Sequence, residues 1–113
     1  MLLPAECKKT YSVMQFQLYP EAELDLERIW QYTASTWGVN QAIKYIDDLD
    51  TTFQMLTENP LLCRERLELQ PPVRIHHFQS HMIAYNQSEG GIDIVRILHK
   101  SSDVELHLEE DSP

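Results

Sequence analysis

The link TWGVN, Thr36 to Asn40, separates two stretches of helical spacing and decides how they can pack. Before it, Ala22, Leu26, Ile29, Thr33 and Trp37 fall near one stripe, with Leu24, Trp30 and Tyr32 flanking it. After it, Ala42, Tyr45 or Ile46, Leu49, Phe53 and Leu56 form a second stripe, closed by Asn59-Pro60. Gly38 stands where a helix C-cap tolerates positive φ, and Asn40 is placed to N-cap the next helix. So short a link makes the two helices antiparallel neighbours.

On either side of this hairpin the period changes from helical to alternating. Met14, Phe16 and Leu18 alternate with Gln15 and Gln17, the pattern of a half-buried strand. Pro20 ends that strand and suits a first helical turn, and Glu21, Glu23 and Asp25 place negative charge at the helix N-terminus. Leu61 to Pro72 reads as a connector with room for one short helical turn. VRIHHF (Val73–Phe78) and HMIAYN (His81–Asn86) then form a hairpin. SEGG turns into IDIVRILH (Ile92–His99), whose apolar side chains at both parities predict a central strand covered on both faces. Ser102 and Glu105 have the spacing of a capping box. The expected class is α+β: an N-terminal strand, then an antiparallel helical hairpin packed on a small antiparallel β-sheet. Residues 1–13 read as a loose extension, 14–108 as the domain, and 109–113 as an acidic tail.

At 113 residues the chain is one domain with an ordinary core. Its formal charge of −9 works against broad binding to nucleic acid, because each phosphate contact needs a cation. Cys7 and Cys63 form no CxxC pair and read as reduced thiols in a cytoplasmic protein. No apolar run is long enough for a membrane span, and MLLPAECKK lacks the layout of a signal peptide.

Five histidines invite a metal reading. His76 and His77 are adjacent on a strand and point to opposite faces, while His76 and His81 could approach across a turn. Neither has a cysteine or carboxylate at ligand spacing, so no metal and no cofactor is expected. Cleavage of a phosphodiester needs a base, an acid and cations, and Arg74, Arg96, His99 and Lys100 could supply a subset. Arg96 is the odd charge in an apolar strand. The structural expectation is a guanidinium paired with a carboxylate such as Asp93 or Glu105, its stem lying on the sheet. Trp30, Tyr32, Trp37, Ile43, Tyr45, Ile46, Phe53 and Met55 occupy more faces than one sheet can hide. They are either half-exposed or the lining of a groove for a partner.

The segments DLERIWQYTASTWGVNQAIKYIDDL, LTENPLLCRER, VRIHHFQSHMIAYN and IDIVRILHKSSD, in this order, resemble the RelE/ParE toxin superfamily, its ParE-like branch most closely. The shared motifs include D-L-x-x-I-x-x-Y, W-G-x-x-x-A and R-x-x-x-x-x-x-H-x-I-x-Y, and the likeness spans about Met14 to Leu108. The resemblance implies the toxin of a type II toxin–antitoxin module, with the same helical hairpin on a sheet. It also implies a cognate antitoxin as partner, and DNA met only through the antitoxin or the target. ParE-like members poison DNA gyrase; RelE-like members cut messenger RNA on the ribosome with several cations and a tyrosine near the C-terminus. Here Lys100 is followed by Ser101, Ser102 and Asp103, and no tyrosine follows Tyr85. The expectation is therefore a non-enzymatic toxin with no catalytic residue, acting on gyrase. Arg74, Arg96, His99 and Lys100 are candidates for the target surface. Trp30, Tyr32, Trp37, Ile43, Ile46 and Phe53 are candidates for the antitoxin surface. A RelE-like ribosome-dependent endonuclease is the alternative, and an inert adaptor the third reading.

Overall fold

In a computed structural model, residues 15–101 are described. The expected extension, Met14, the Ser102–Glu105 capping box and the acidic tail lie outside them, as does Glu105 as a partner for Arg96.

The order is β1 (Gln15–Leu18), α1 (Pro20–Trp37), α2 (Val39–Glu58), β2 (Glu65–Arg66), β3 (Val73–Phe78), β4 (His81–Ser88) and β5 (Gly91–His99). The strands form one sheet in the order β1-β5-β4-β3-β2, with the hairpin α1–α2 packed on one face. Among the described residues, no helix is long and apolar enough to cross a membrane.

Three details depart from the sequence expectation. The sheet is mixed, because β1 pairs with β5 in parallel, Gln15 opposite Gly91 through Leu18 opposite Ile94. The helical hairpin is the crossover that such a parallel pair requires. The connector contains the short strand β2, which pairs with Val73 and Arg74 at the start of β3. Asn40 is not a cap: α2 begins at Val39, and Gly38 (φ 102) serves both helices. Its N–H donates to the Ala34 carbonyl and its own carbonyl accepts the Ala42 N–H, each at 3.1 Å. A residue with a Cβ disfavours that φ, so one glycine replaces a cap pair.

The stripes bury for the most part as their spacing predicts, except that Leu26 is only half-buried and Trp37, at the end of the first stripe, is exposed. Ala22 and Ile29 of α1 and Leu49, Phe53 and Leu56 of α2 meet Ile83, Tyr85, Ile92, Ile94 and Ile97 of the sheet. The opposite face holds Val73, Ile75, Met82, Ala84, Val95 and Leu98 under Leu69. β5 is thus covered on both faces, as its apolar run requires.

The register of β5 against β4 slips once. Ala84 faces Arg96 while Tyr85 faces Ile94, so Val95 is an extra residue in β5. Such a bulge re-aims the side chains beside it. Beyond it β1 has ended, and α1 runs along the edge of β5 instead, as the bond from Ile97 to Asp25 shows.

Candidate interaction site at the linked end of the helical hairpin

Asp25 belongs to the buried stripe of α1, spaced three residues from Ala22 and four from Ile29. It is 6% exposed, and its Oδ2 accepts the Ile97 N–H at 2.9 Å and the Arg96 Nε–H at 2.8 Å. Arg96 Nη2 donates to Oδ1 at 3.1 Å, making the pair bidentate. The expectation that Arg96 pairs with Asp93 is corrected: Asp93 accepts from Gln17 Nε2 at 3.0 Å instead. The bulge explains the change, since it turns Arg96 toward α1 rather than along its own strand.

Asp25 of this ion pair lines a groove of about 860 Å³. Arg28, Tyr32 and Trp37 of α1 form one wall, Gln41 and Tyr45 of α2 another, and Gln79, His81, Leu98 and His99 the sheet side. Tyr32 and Trp37 are 65% and 69% exposed, so the mouth offers bare aromatic faces. Inside, Tyr45 Oη lies 2.7 Å from His81 Nδ1, and the His81 ring meets the His99 ring edge-on with centroids 5.6 Å apart. Burial lowers the His81 pKa, the neighbouring His99 adds to this, and Asp25 opposes both. Burial also raises the pKa of Tyr45, against a smaller opposing contribution from the Ser80 backbone.

His99 Nδ1 accepts the Ser101 N–H at 3.2 Å and lies 2.8 Å from Ser101 Oγ. A backbone N–H can only donate, so this nitrogen carries no proton and Nε2 is the protonated one. No group of three or more potential metal-holding side chains occurs among the described residues. His76 and His81 do not approach as neighbours across the turn either: His76 faces Ile83, and its Nδ1 lies 3.7 Å from Cys63 Sγ.

The profile described as "ParE toxin of type II toxin-antitoxin system, parDE" matches residues 16–104, every element that builds this groove included. The chain belongs to the ParE toxin family. It is 37% identical over 95 residues to Toxin ParE1 of Mycobacterium tuberculosis (strain ATCC 25618 / H37Rv), covering 83% of this chain and 97% of the relative. It is 32% identical over 93 residues to Toxin ParE1 of Caulobacter vibrioides, covering 82% and 96%. A chain of the solved structure titled "Chromosomal ParDE TA system from P. aeruginosa" has the same fold, with a TM-score of 0.66 at 20% identity over 78% of this chain and 97% of that one.

Within this ParE-family chain the four cations and imidazoles singled out from sequence are dispersed. His99 lines the groove, and Lys100 is next to it, its N–H bound to the Ser80 carbonyl at 2.8 Å. Arg96 is only 8% exposed and bound to Asp25. Arg74 sits elsewhere, its Nη1 donating to the Cys63 carbonyl at 2.6 Å. Arg74 faces Tyr85 whereas Phe78 faces His81, a separation along β3 of about 13 Å.

The six apolar candidates also divide. Tyr32 and Trp37 belong to the groove. Trp30 and Ile46 line a second hollow of about 390 Å³ at the seam of α1 and α2, with Leu26, Glu23, Glu27 and Gln31. Ile43 is 46% exposed on α2. Phe53 is corrected: at 2% exposure, with its ring 5.3 Å from that of Phe16, it is a core residue and meets no partner in the folded state. Asp25 was not singled out from sequence as a site residue; Tyr45 was named only among the apolar side chains that could line a groove, and His81 only in the metal reading. The readable signal for Asp25 was a carboxylate on an apolar stripe.

Proposed function

We propose that this ParE-type toxin acts by adhesion to a protein target, DNA gyrase, and is neutralised by a cognate antitoxin in the cytoplasm. The observation that carries the reading is Arg96. The residue that most suggested phosphate chemistry gives Nε and Nη2 to Asp25 inside the fold, while the groove that Asp25 lines presents chiefly rings and amides, with Arg28 as its arginine. Exposed aromatic side chains around a concave surface suit protein recognition. His99 and Lys100, with Tyr32 and Trp37, form the surface offered to the target; Trp30, Ile43 and Ile46 form the one offered to the antitoxin. Arg74, whose Nη1 donates to the Cys63 carbonyl away from the groove, belongs to neither surface in this reading.

The decisive experiment adds purified protein to gyrase and follows supercoiling and relaxation. Inhibition that weakens on Trp37→Ala is expected; gyrase activity untouched across a wide concentration range would sink the reading. Ribosome-dependent cleavage of messenger RNA draws support from the clustering of Tyr45, His81 and His99. Mapping of transcript ends after expression separates it, with intact transcripts expected.

A further inference from the structure

The seam hollow differs in charge from the groove. Its floor is Leu26, Trp30 and Ile46, and its rim carries Glu23 and Glu27, with no Lys or Arg in the lining. Asp47 and Asp50 extend the rim along α2, one position and one turn from Ile46, and both are exposed. Lys44, the cation of α2, is turned to Asp48 at 3.1 Å. Arg28 lines the other groove. An apolar strip fenced by carboxylates is therefore built into a chain whose formal charge is already −9.

We propose that this seam receives a cationic amphipathic helix of a partner protein, with Lys or Arg flanking aliphatic or aromatic anchors. The inference rests on the antitoxin reading above and specifies the chemistry of the antitoxin's covering segment. The seam from Glu23 to Gln31 runs about 12 Å, which two to three helical turns would cover. Anchors spaced three and four residues apart would enter between Trp30 and Ile46, and their flanking cations would meet Glu23, Glu27, Asp47 and Asp50. An acidic covering segment is disfavoured, because like charges would face one another across the whole contact. Opposite charges of this kind act chiefly on the encounter rate and on its salt dependence, while the buried anchors act on dissociation.

The test pairs the full chain with the product of the reading frame adjacent to its gene and measures association by stopped flow over a salt series. The variants are E23K/E27K/D47K/D50K and, at constant volume, E23Q/E27Q/D47N/D50N, each checked for an unchanged far-ultraviolet spectrum and thermal melt. Expected are a wild-type rate that falls with salt, a reversal variant slower by about 10- to 100-fold at low salt, and a neutral variant between them. Trp30→Ala should accelerate dissociation instead. Binding that ignores both charge variants and salt overturns the inference and leaves the antitoxin reading standing. No binding by the wild type overturns both. Variants that lose gyrase inhibition but keep the partner would assign the seam to the target and likewise overturn it.

Discussion

Asp25 Oδ2 holds the Arg96 side chain and the Ile97 backbone with a single oxygen, at 2.8 and 2.9 Å. The helix thereby supplies the acceptor that β1 would have provided had it continued. Tyr19 N–H, bonded to the Ile94 carbonyl at 2.9 Å, is the last backbone contact before the exchange. One carboxylate satisfies a strand edge and neutralises a buried cation.

Removal of that carboxylate is expected to be costly. Asp25→Ala removes the buried carboxylate that Arg96 holds at two oxygens and leaves the Ile97 N–H without its acceptor, and should destabilise the fold by about 3–5 kcal/mol. The double variant Asp25→Leu, Arg96→Met should recover part of this, since it removes both charges, but not all, since Ile97 still lacks an acceptor. Denaturant unfolding of the single and double variants gives the comparison, and equal stability of Asp25→Ala and wild type would refute it.

Stability should decline on mild acidification. His81 and His76 both titrate below the ordinary 6.5, in each case first because burial disfavours the charged ring. The unfolded chain therefore takes up these protons first. Stability is fully present above the unfolded value and is lost as pH falls from there through the lower folded values. His81→Gln should flatten that slope in melts recorded between neutral pH and about pH 5. An unchanged slope in the variant would show that His81 titrates normally.

Core and surface aromatics should separate cleanly. Phe53→Ala removes a ring that is 2% exposed and should cost about 3–5 kcal/mol. Trp37→Ala, at 69% exposure, should stay within about 0.5 kcal/mol. Chemical denaturation decides between this ordering and its reverse.

Gly91→Ala should detach β1. A Cβ at Gly91 would overlap the Gln15 carbonyl, the position where the parallel ladder starts. A loss of about 1–3 kcal/mol is expected, with hydrogen exchange accelerated at Phe16 to Leu18 before the remaining strands. Uniform exchange across the sheet would argue against so local a role.

Apolar periodicity was the readable part of this chain. Ala22, Ile29 and Thr33, and Ala42, Leu49, Phe53 and Leu56, bury where their spacing places them, because a helix on a sheet can hide one stripe. Direction and register were less visible. Nothing in MQFQLY encodes a parallel partner; that follows from the crossover, a property of the whole chain. β2 has only Glu65 and Arg66, too short for any alternation. The site was partly visible: His99 and Trp37 both line the groove, but Arg96 was matched to Asp93 and Glu105, of which only Asp93 is among the described residues and binds Gln17 instead. The observed partner of Arg96 lies 71 residues away, brought there by a bulge that no local pattern announces.

The position of β5 has a consequence for synthesis. Of the described strands, the one translated last joins β1 to β4, so a ribosome that has not yet released Gly91–His99 carries a β1 without its neighbour and an Asp25 without Arg96. Distant pairings of this kind form slowly and late. A groove that draws part of its lining from β5 is complete only after Gly91–His99 has left the ribosome.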